Sequence, residues 1–346
     1  MATSCVRRVA GRLATAARRS AASVAYSGEE GSLSSLAARR LLQETRDAQL
    51  VGVPSIKAVF DAVVAGEVPY GVVPIENSAS GSLRATYAHL ISHPVVIGAE
   101  LGVRERYCLC APAGVGLGDI GRVLSHPTVL EACSGFLESC LAKADNLDLM
   151  ATRTTTEATR LVASGDTSSF TSAAPAAAVA TSLAARRHGL ELLAEDIGND
   201  RQLQTRYILI RSRGEEAARQ PPFPHDLLLQ GAAKKRSGAF ALRNETGALS
   251  KLLANFAMRG IDIIKIESGP MHEGPALAGN AFLWDFLLFV DFAVPVGQTE
   301  ADARRLWEAL AEFSLWQCDF GTYPSHVPRD RKQQQSWNEM VDIMMK

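Results

Sequence analysis

Blocks of hydrophobic and polar residues alternate along the chain and predict strands and helices in turn from residue 24 onward. The segments SVAYSG and YGVVPI are typical of buried strands, and each is followed by a segment with helical spacing. Another helix, in PSIKAVFDAVVAG, has Pro54 at its start and Gly66 at its end, which are common boundary residues of a helix. Strands that alternate with helices predict parallel pairing in an α/β sheet.

A second series of the same kind follows. It contains a strand that ends at Ser125, a helix from about Pro127, a further strand and helix in DLMATRTTTEATRLVASG, and an alanine-rich helix closed by Gly189. The strand QTRYILIRSR closes the module. We predict that this module spans residues 23–213.

The pattern then breaks and restarts. Residues 214–235 carry three prolines and mixed charge, so we predict a linker there. Residues 236–325 follow the order β-α-β-β-α-β, which predicts a ferredoxin-like domain. Residues 326–346 are interpreted as a polar tail that is only partly ordered.

The N-terminus differs from the rest of the chain. Its first 22 residues contain five arginines among Ala, Ser and Thr, and no acidic residue precedes Glu29. This composition predicts an organelle transit peptide. A disordered or wrongly assigned N-terminus is the alternative.

Composition narrows the class of protein. The chain is 47% hydrophobic with a formal net charge of −1, which argues against nucleic acid or an anionic membrane as the main partner. The six cysteines form no C-x-x-C pair, so we expect a reduced intracellular protein without a structural metal. Cys108 and Cys110 are interpreted as small core residues.

Three polar stretches interrupt apolar strands of the large module and hold the candidate site residues. The first contributes Glu76, Asn77, Ser78, Ser80 and Gly81, the second Ser125 and His126, and the third Thr205 and Arg206. Strand ends line the ligand crevice of open α/β sheets, and a helix start there attracts carboxylate or phosphate. Arg206 would add a bidentate carboxylate contact. These stretches predict a site for a small ligand with more than one negative charge.

Four of these residues also have a structural interpretation. Glu76 would cap a helix or pair locally, and Ser125 would serve only as an N-cap. His126 alone is more often structural than catalytic. Arg206 would form a salt bridge that ties domains together. Spacing along the chain leaves both interpretations open.

These motifs resemble those of a known enzyme family. GVVPIENSASGS looks like the GVVPIENS…G signature of prephenate dehydratases and plant-type arogenate dehydratases, LSHPTVLEACSGFL resembles their SHPQ…QC…L segment, and QTRYILI resembles their TRF strand. VAYSGEEGSLSSLAA is similar to the family start, and GALSKLLANFAMRGIDIIKIESGP resembles the GAL and ESRP motifs of the C-terminal ACT regulatory domain. The resemblance covers about residues 24–324. It implies a two-lobed α/β catalytic module of the periplasmic-binding-protein type, followed by a ferredoxin-like βαββαβ ACT domain.

The resemblance also implies a reaction. The family eliminates water and carbon dioxide together from a cyclohexadienyl substrate, giving phenylpyruvate from prephenate or phenylalanine from arogenate. Thr205 would donate a hydrogen bond to the departing hydroxyl with help from neighbours or water, because a free threonine is too weak an acid. Asn77 and Ser125 would orient the substrate as further catalytic residues. The implied substrate-binding residues are Glu76, Ser78, Ser80, Gly81, His126 and Arg206, and no metal or organic cofactor is implied.

Five positions depart from the family pattern, and one of them, Tyr207 in place of phenylalanine, is a mild change. Thr128 and Ala132 stand where glutamine is usual, Leu203 where asparagine is usual, and Gly269 where the arginine of ESRP is usual. Each lost amide removes hydrogen bonds worth about 0.5–1.5 kcal/mol. We therefore expect changed contacts in or beside the pocket, and a changed effector contact at Gly269.

The implied effector is phenylalanine, and the expected response is feedback inhibition. The effector-binding residues implied by the motifs are Asn244, Gly247, Ala248, Leu249, Glu267 and Ser268. Gly247 would let the backbone approach the effector carboxylate beside a helix start. A plain helix start is the alternative for TGAL. ACT domains commonly bind amino acids at subunit interfaces, so a homodimer or homotetramer is expected.

The leading functional hypothesis is a regulated carbon–oxygen lyase of phenylalanine biosynthesis. A non-catalytic small-molecule binding or sensing protein is the second hypothesis, favoured by the missing amides. The third is an amino-acid-binding ACT protein whose large module serves only interaction. The pathway favours a plastid location, with the mitochondrion or cytoplasm as alternatives.

Overall fold

The computed structural model describes residues 23–42, 49–141, 147–165, 175–214, 234–242, 245–270, 286–295 and 297–325. The predicted transit peptide, the predicted tail, Asn244 and most of the predicted linker lie outside the described residues. Within the part that is described, no helix is long and apolar enough to cross a membrane.

The described residues form fifteen strands and nine α-helices. The strands are β1 Ser23–Ser27, β2 Gln49–Val53, β3 Tyr70–Asn77, β4 Gly81–Ser82, β5 Val95–Arg104, β6 Cys108–Ala111, β7 Arg122–Ser125, β8 Asp148–Ala151, β9 Ala176–Ala180, β10 Glu191–Ala194, β11 Gln204–Ser212, β12 Lys234–Leu242, β13 Ile263–Pro270, β14 Phe286–Ala293 and β15 Ser314–Pro324. The helices are α1 Leu33–Leu41, α2 Ile56–Val64, α3 Arg84–Ser92, α4 Pro127–Ala132, α5 Ser134–Leu141, α6 Thr155–Ser164, α7 Ser182–Arg187, α8 Ala248–Ala257 and α9 Glu300–Ala311.

The first sheet, with helices α1 to α3, forms lobe 1. Its strand order is β2-β1-β3-β11-β5, and β4 pairs with β3. Strands β1, β2 and β3 are parallel, as the alternation predicted, whereas β11 runs antiparallel to both β3 and β5. Gly71 in β3 lets α2 approach closely, because an added Cβ would lie 2.5 Å from Val59 Cγ1. Strand β11, from the end of the module, thus pairs into the sheet formed by the strands at the start of the module.

The second sheet, with helices α4 to α7, forms lobe 2. Its strand order is β10-β6-β9-β7-β8, in which β7, β8 and β9 are parallel. Two connections, residues 105–107 and 195–203, join the lobes and run side by side, since Ile197 N donates to Tyr107 O at 3.0 Å. The predicted two-lobed α/β fold is therefore confirmed.

The third sheet is antiparallel, with the strand order β13-β14-β12-β15 expected of the predicted ferredoxin-like domain. Helices α8 and α9 cover one face through a core that includes Phe240, Phe256 and Leu310. Strand β12 begins at Lys234, so it starts inside the predicted linker of residues 214–235. The linker pattern was misleading here because Lys235 is buried in an ionic contact that composition does not reveal.

The other face of this C-terminal sheet packs directly on lobe 1. Phe289, Phe320 and Tyr323 share one hydrophobic core with residues of α2 and α3. The rings of Tyr87 and Phe289 are 4.5 Å apart between centroids. Burial of aromatic side chains contributes strongly to such interfaces. The C-terminal domain and lobe 1 therefore share a continuous core.

Candidate active site

The pairing of β3 with β11 decides where the predicted site residues lie. Thr205 lies opposite Asn77, and Arg206 lies opposite Glu76. Successive side chains of a strand point to opposite faces of a sheet. Asn77 and Thr205 therefore share one face, and Glu76 and Arg206 share the other.

Asn77 is fixed by the turn that follows β3. Its Oδ1 accepts hydrogen bonds from the backbone N–H groups of Ala79 at 2.9 Å and Ser80 at 3.1 Å. This Asx turn directs the Nδ2 group to Thr205 Oγ1 and Glu105 Oε1, both at 2.9 Å. The position of the amide donor is thus determined locally by the sequence after β3.

The turn after β3 leads first into a short strand and only then into a helix, which differs from the sequence prediction. Gly81, with φ +79°, starts the short strand β4, which pairs back on β3, and α3 begins only at Arg84. Among the residues that the structure describes, no side chain caps that helix. The sequence predicts a tight turn and then a helix over SGSLRATYAHLI. The turn is present, but the helix begins later than predicted, because glycine at positive φ favours a tight hairpin here.

Thr205 is held by a carboxylate that the sequence analysis missed. Its hydroxyl donates to Glu105 Oε1, and the Tyr107 hydroxyl donates to Glu105 Oε2. Glu105 is 8% exposed and Thr205 is 6% exposed. Burial raises the pKa of the Tyr107 phenol and the adjacent Glu105 raises it further, so Tyr107 is a neutral donor. We call Asn77, Glu105, Tyr107 and Thr205 the Thr205 cluster.

One signal could have identified Glu105. Thr205 pairs with Val103 in β5, and Glu105 lies two residues beyond Val103, on the same face by strand periodicity. The sequence alone did not reveal that β5 and β11 are neighbours.

Ser78 has a structural contact rather than a free hydroxyl. Its Oγ accepts from Gln204 N at 3.0 Å, and its own N–H donates to Gln204 O at 2.8 Å. Ser78 therefore anchors the start of β11 beside the end of β3. Ser80 lies in the exposed turn after β3, and Gly81 begins β4 directly after it.

The second polar stretch lies in lobe 2. Ser125 is fully buried at the end of β7, and its hydroxyl donates to Val179 O at 2.7 Å. His126, not Ser125, is the N-cap of α4, with Nδ1 at 2.8 Å from Thr128 Oγ1. The N-cap alternative for Ser125 is therefore wrong, and His126 has the capping role.

The two lobes meet at the carboxyl ends of their parallel strands. Thr181, which follows β9, donates from Oγ1 to Gly31 O at 2.7 Å, and Arg187 pairs with Glu30. Strand β3 neighbours β1, and β7 neighbours β9. The strand ends that carry Asn77 and Ser125 therefore open on the same crevice between the lobes.

The opposite face of β11 holds a buried ionic cluster at the domain interface. Arg206 Nη1 lies 2.9 Å from Glu100 Oε2 and 2.8 Å from Asp291 Oδ2, and Arg206 Nη2 lies 3.0 Å from Glu76 Oε2. Lys235 Nζ donates to Glu100 at 2.9 Å. The substrate-binding prediction is wrong for Arg206 and Glu76, because strand alternation sends both away from Thr205. The domain-tying alternative for Arg206 is correct.

The charge of Asp291 is stabilised by this cluster. Burial alone raises the pKa of its carboxyl, but Arg206 and Lys235 lower it more, so the pKa lies below its ordinary value. Ser237 donates to Asp291 Oδ1 at 2.6 Å. Asp291 is therefore ionised and fully bonded between the two domains.

A second cross-domain contact involves a predicted effector residue. Ser82 Oγ donates to Glu267 Oε2 at 2.7 Å and accepts from Lys265 Nζ at 2.7 Å. Lys265 also pairs with Glu76. Glu267 is thus bonded to lobe 1 immediately after the turn that fixes Asn77.

The other predicted effector residues lie on two elements of the C-terminal domain. Gly247, with φ +83°, is the N-cap of α8, followed by the buried Ala248 and the exposed Leu249. Ser268 lies in β13, opposite Leu288 of β14.

The residues that depart from the family pattern make defined contacts in the structure. Thr128 contacts the capping His126, and the carbonyl of Ala132 accepts from Asn199 N at 2.7 Å. Leu203 packs in the core of lobe 2, and its carbonyl accepts from Glu105 N at 2.8 Å. Gly269 pairs with Leu287 in the C-terminal sheet. Among the described residues, no group of three or more His, Cys, Asp or Glu side chains is placed to hold a metal ion.

Comparisons with known proteins agree with this architecture. The family model for prephenate dehydratase matches residues 24–215. The chloroplastic arogenate dehydratase/prephenate dehydratase 2 of Arabidopsis thaliana is 34% identical over 302 residues, covering 87% of this chain and 72% of that protein. Arogenate dehydratase 2 of Petunia hybrida is 33% identical over 310 residues, covering 87% of this chain and 71% of that protein.

A solved structure shares the fold. Prephenate dehydratase from Arthrobacter aurescens, in complex with L-Phe, superposes with a TM-score of 0.69 and 24% identity, covering 93% of this chain and 99% of that chain. The matched family model and the two plant relatives extend the agreement from fold to sequence. The chain therefore belongs to the prephenate dehydratase family.

Proposed function

We propose that the protein is a dehydratase that removes water and carbon dioxide together from prephenate or arogenate, in the synthesis of phenylalanine. Family membership and the names of the plant relatives support this reaction class. The observation that carries the proposal is the Thr205 hydroxyl, held between Asn77 and Glu105 where the strand ends meet the crevice.

The reaction needs few groups from the protein. As the bond from the ring to its carboxylate breaks, its electron pair enters the ring, and the ring hydroxyl departs from the opposite carbon. Formation of the aromatic ring drives the reaction, so the protein mainly positions the substrate and provides a proton for the departing oxygen. Thr205 is the proposed donor to that oxygen, and Asn77 fixes its orientation.

Substrate contacts are assigned to groups on both sides of the crevice. Ser80 lies in the turn after β3 and Gly81 at the start of β4, and Ser125 and His126 lie at the end of β7. We propose that these two strand ends bind the polar ends of the substrate.

Regulation is assigned to the C-terminal domain, which we propose to be an ACT domain that binds phenylalanine in a homodimer or homotetramer. Its ferredoxin-like strand order and the L-Phe complex of the Arthrobacter relative support this proposal. The bonds of Glu267 and Lys265 to Ser82 provide a route to the crevice. An effector acts by binding two conformations unequally. A plastid location is proposed because the Arabidopsis relative is named chloroplastic.

A side-by-side assay tests the function. Purified protein should convert prephenate, arogenate or both, and Thr205→Ala should lower kcat at least about tenfold, which corresponds to roughly 1.4 kcal/mol of barrier. Thr205→Ser retains the hydroxyl and should keep most of the activity. Binding of either compound by calorimetry with no product would instead establish a non-catalytic binding protein.

A further inference from the structure

Glu105 completes the Thr205 cluster, and nothing in the motifs assigns it a role. It lies in the connection from lobe 1 to lobe 2, and its backbone N–H donates to Leu203 O in the return connection at 2.8 Å. Its carboxylate is buried, and both oxygens receive hydrogen bonds from cluster side chains. The position of this side chain is therefore fixed from several directions.

The chemistry of the reaction leaves a task for such a group. A hydroxyl departs as water only if it gains a proton, and a threonine hydroxyl is too weak an acid to give one up unaided. The group bonded to Thr205 Oγ1 besides Asn77 is the Glu105 carboxyl. Asn77 donates its own N–H and keeps its amide neutral, so it supplies orientation rather than a proton.

We propose that Glu105 is a positioning residue that also provides the proton, which reaches the departing hydroxyl through Thr205. This inference rests on the proposed function. With Glu105 ionised, Thr205 donates its proton to Oε1, as in the structure. With Glu105 protonated, Oε1–H donates to Thr205 Oγ1, and the Thr205 proton is free to point at the substrate.

The proton balance closes in one turnover. The Glu105 proton passes to Thr205 Oγ1 while the Thr205 proton passes to the departing oxygen, so threonine ends unchanged. The carbon–oxygen bond breaks, the carbon–carboxyl bond breaks, and water and carbon dioxide leave. Glu105 is left as a carboxylate that accepts from Thr205 Oγ1, and it regains a proton from solvent before the next turnover.

Three titratable side chains lie close to Glu105 and the cluster. The titratable groups placed against the cluster are the phenols of Tyr107 and of Tyr207 in β11, and the Cys133 thiol, which lies near Tyr107. Burial raises the pKa of both phenols, with a further contribution from Glu105, and burial raises the pKa of Cys133 to about 12. All three groups are therefore neutral near pH 7.

Arg104 and Arg106 flank Glu105 in the chain, and Arg106 acts electrostatically on Arg40. Arg104, next to Glu105 in the chain, bonds to Arg201 O and lies 3.6 Å from Asp196 Oδ2. Asn77, facing Glu105 from β3, does not titrate. Glu105 is thus the carboxyl group of a cluster whose other side chains are an amide, a phenol and a hydroxyl.

The test is the pH profile of kcat in the full-length protein with whichever substrate the wild type converts. In the wild type, kcat should fall as rising pH ionises Glu105. Glu105→Gln keeps the size and one hydrogen bond but carries no transferable proton, so kcat should fall at least tenfold and the pH-dependent fall should vanish. Glu105→Asp keeps a carboxyl and should recover part of the loss.

A matched pair of tyrosine variants separates chemistry from packing. Tyr107→Phe removes a donor to the Glu105 carboxylate, which makes ionisation harder, so the fall in kcat should move to higher pH. Tyr207→Phe makes the same change in a phenol that bonds Ser34 instead, and the profile should stay in place. These shifts are measurable even if Glu105→Gln fails to fold.

Results that contradict the role of Glu105 can be distinguished from results that contradict the proposed function. If Thr205→Ala is inactive but Glu105→Gln keeps the wild-type kcat, or loses activity while keeping the wild-type pH profile, the proton role of Glu105 is wrong and the proposed function stands. An unmoved profile in Tyr107→Phe also overturns the role. If the wild type converts neither substrate, the proposed function fails and this inference fails with it.

Discussion

Arg206 Nη1 lies 2.8 Å from Asp291 Oδ2, and this contact joins β11 of lobe 1 to β14 of the C-terminal sheet. Thr205 immediately precedes Arg206 in β11, and its side chain lies on the opposite face, in the Thr205 cluster. The domain interface and the candidate active site are therefore separated by the thickness of one strand. A shift of the C-terminal domain that moves Arg206 would also act on the backbone that carries Thr205.

The Arg206–Asp291 contact should stabilise the protein strongly. Asp291→Asn removes one charge from a buried cluster and leaves Arg206 and Lys235 partly uncompensated, so we expect a loss of about 3 kcal/mol in the free energy of unfolding. Urea denaturation at pH 7 measures this loss. Glu308→Gln, on the exposed side of α9, is the matched control and should change stability by less than about 0.5 kcal/mol. Equal stability of both variants would contradict the role of the cluster.

The stabilisation by Asp291 should disappear in acid. Its pKa is lower in the folded protein than in the unfolded chain, so its contribution is present above the unfolded pKa and is lost as pH falls through the folded pKa. The stability difference between wild type and Asp291→Asn should stay constant from pH 7 to about pH 5 and shrink below about pH 4. Urea titrations across this range measure it. A difference that grows in acid would show that the pKa of Asp291 is raised instead.

Asn77 should affect catalysis more than stability. Asn77→Ala removes the donor to Thr205 and Glu105 and releases the turn after β3, so kcat should fall at least about tenfold, roughly 1.4 kcal/mol of barrier. Asn199→Ala removes the same amide from contacts with Glu131 O and Gly135 N in lobe 2. Steady-state kinetics should show the kcat loss for Asn77→Ala alone. Similar kcat losses in both variants would indicate a general effect on folding.

Much of the architecture could be predicted from local patterns, and the exceptions have physical causes. Pro54 and Gly66 correctly bracketed α2, which begins after the Ser55 cap. Glu76 and Arg206 were placed in the wrong site although strand alternation separates each from its neighbour. The alternation could have been applied from sequence, but Asp291 and Lys235, which join Glu100 on the other face, come from a domain that is distant along the chain.

Glu105 illustrates the limit of sequence patterns most clearly. It belongs to no quoted motif, and its contact with Thr205 joins residues that are 100 positions apart. Such a contact depends on β11 returning to lobe 1 beside β5, which no local propensity determines. The strand pairing had to be known before the carboxylate could be associated with the threonine.

Ser82 should influence regulation without taking part in the chemistry. Ser82→Ala removes the hydroxyl that links Glu267 and Lys265 to lobe 1. We expect the phenylalanine concentration for half-maximal inhibition to rise several-fold, while kcat without phenylalanine stays within about twofold. The control is Ser92→Ala at the end of α3, where the hydroxyl bonds only within its own helix and to His93. Identical inhibition curves for both variants would exclude this contact as a regulatory route.

Gly31 should control how closely the two lobes approach. Its φ is +102°, and an added Cβ would lie 2.9 Å from Ala184 Cα in the other lobe. Gly114 has φ +82° with open space around it, so alanine at either position carries a similar left-handed backbone strain of about 1–2 kcal/mol. Only Gly31→Ala also pushes the lobes apart at the Thr181 contact, and its KM should rise about tenfold, roughly 1.4 kcal/mol, relative to Gly114→Ala. Steady-state kinetics on both variants measure the difference, and thermal unfolding shows how much stability Gly31→Ala loses beyond the backbone strain that Gly114→Ala shares. Equal KM values would mean that closure at Gly31 does not contribute to substrate binding, whereas a KM effect confined to Gly31→Ala would place the closed crevice on the reaction path.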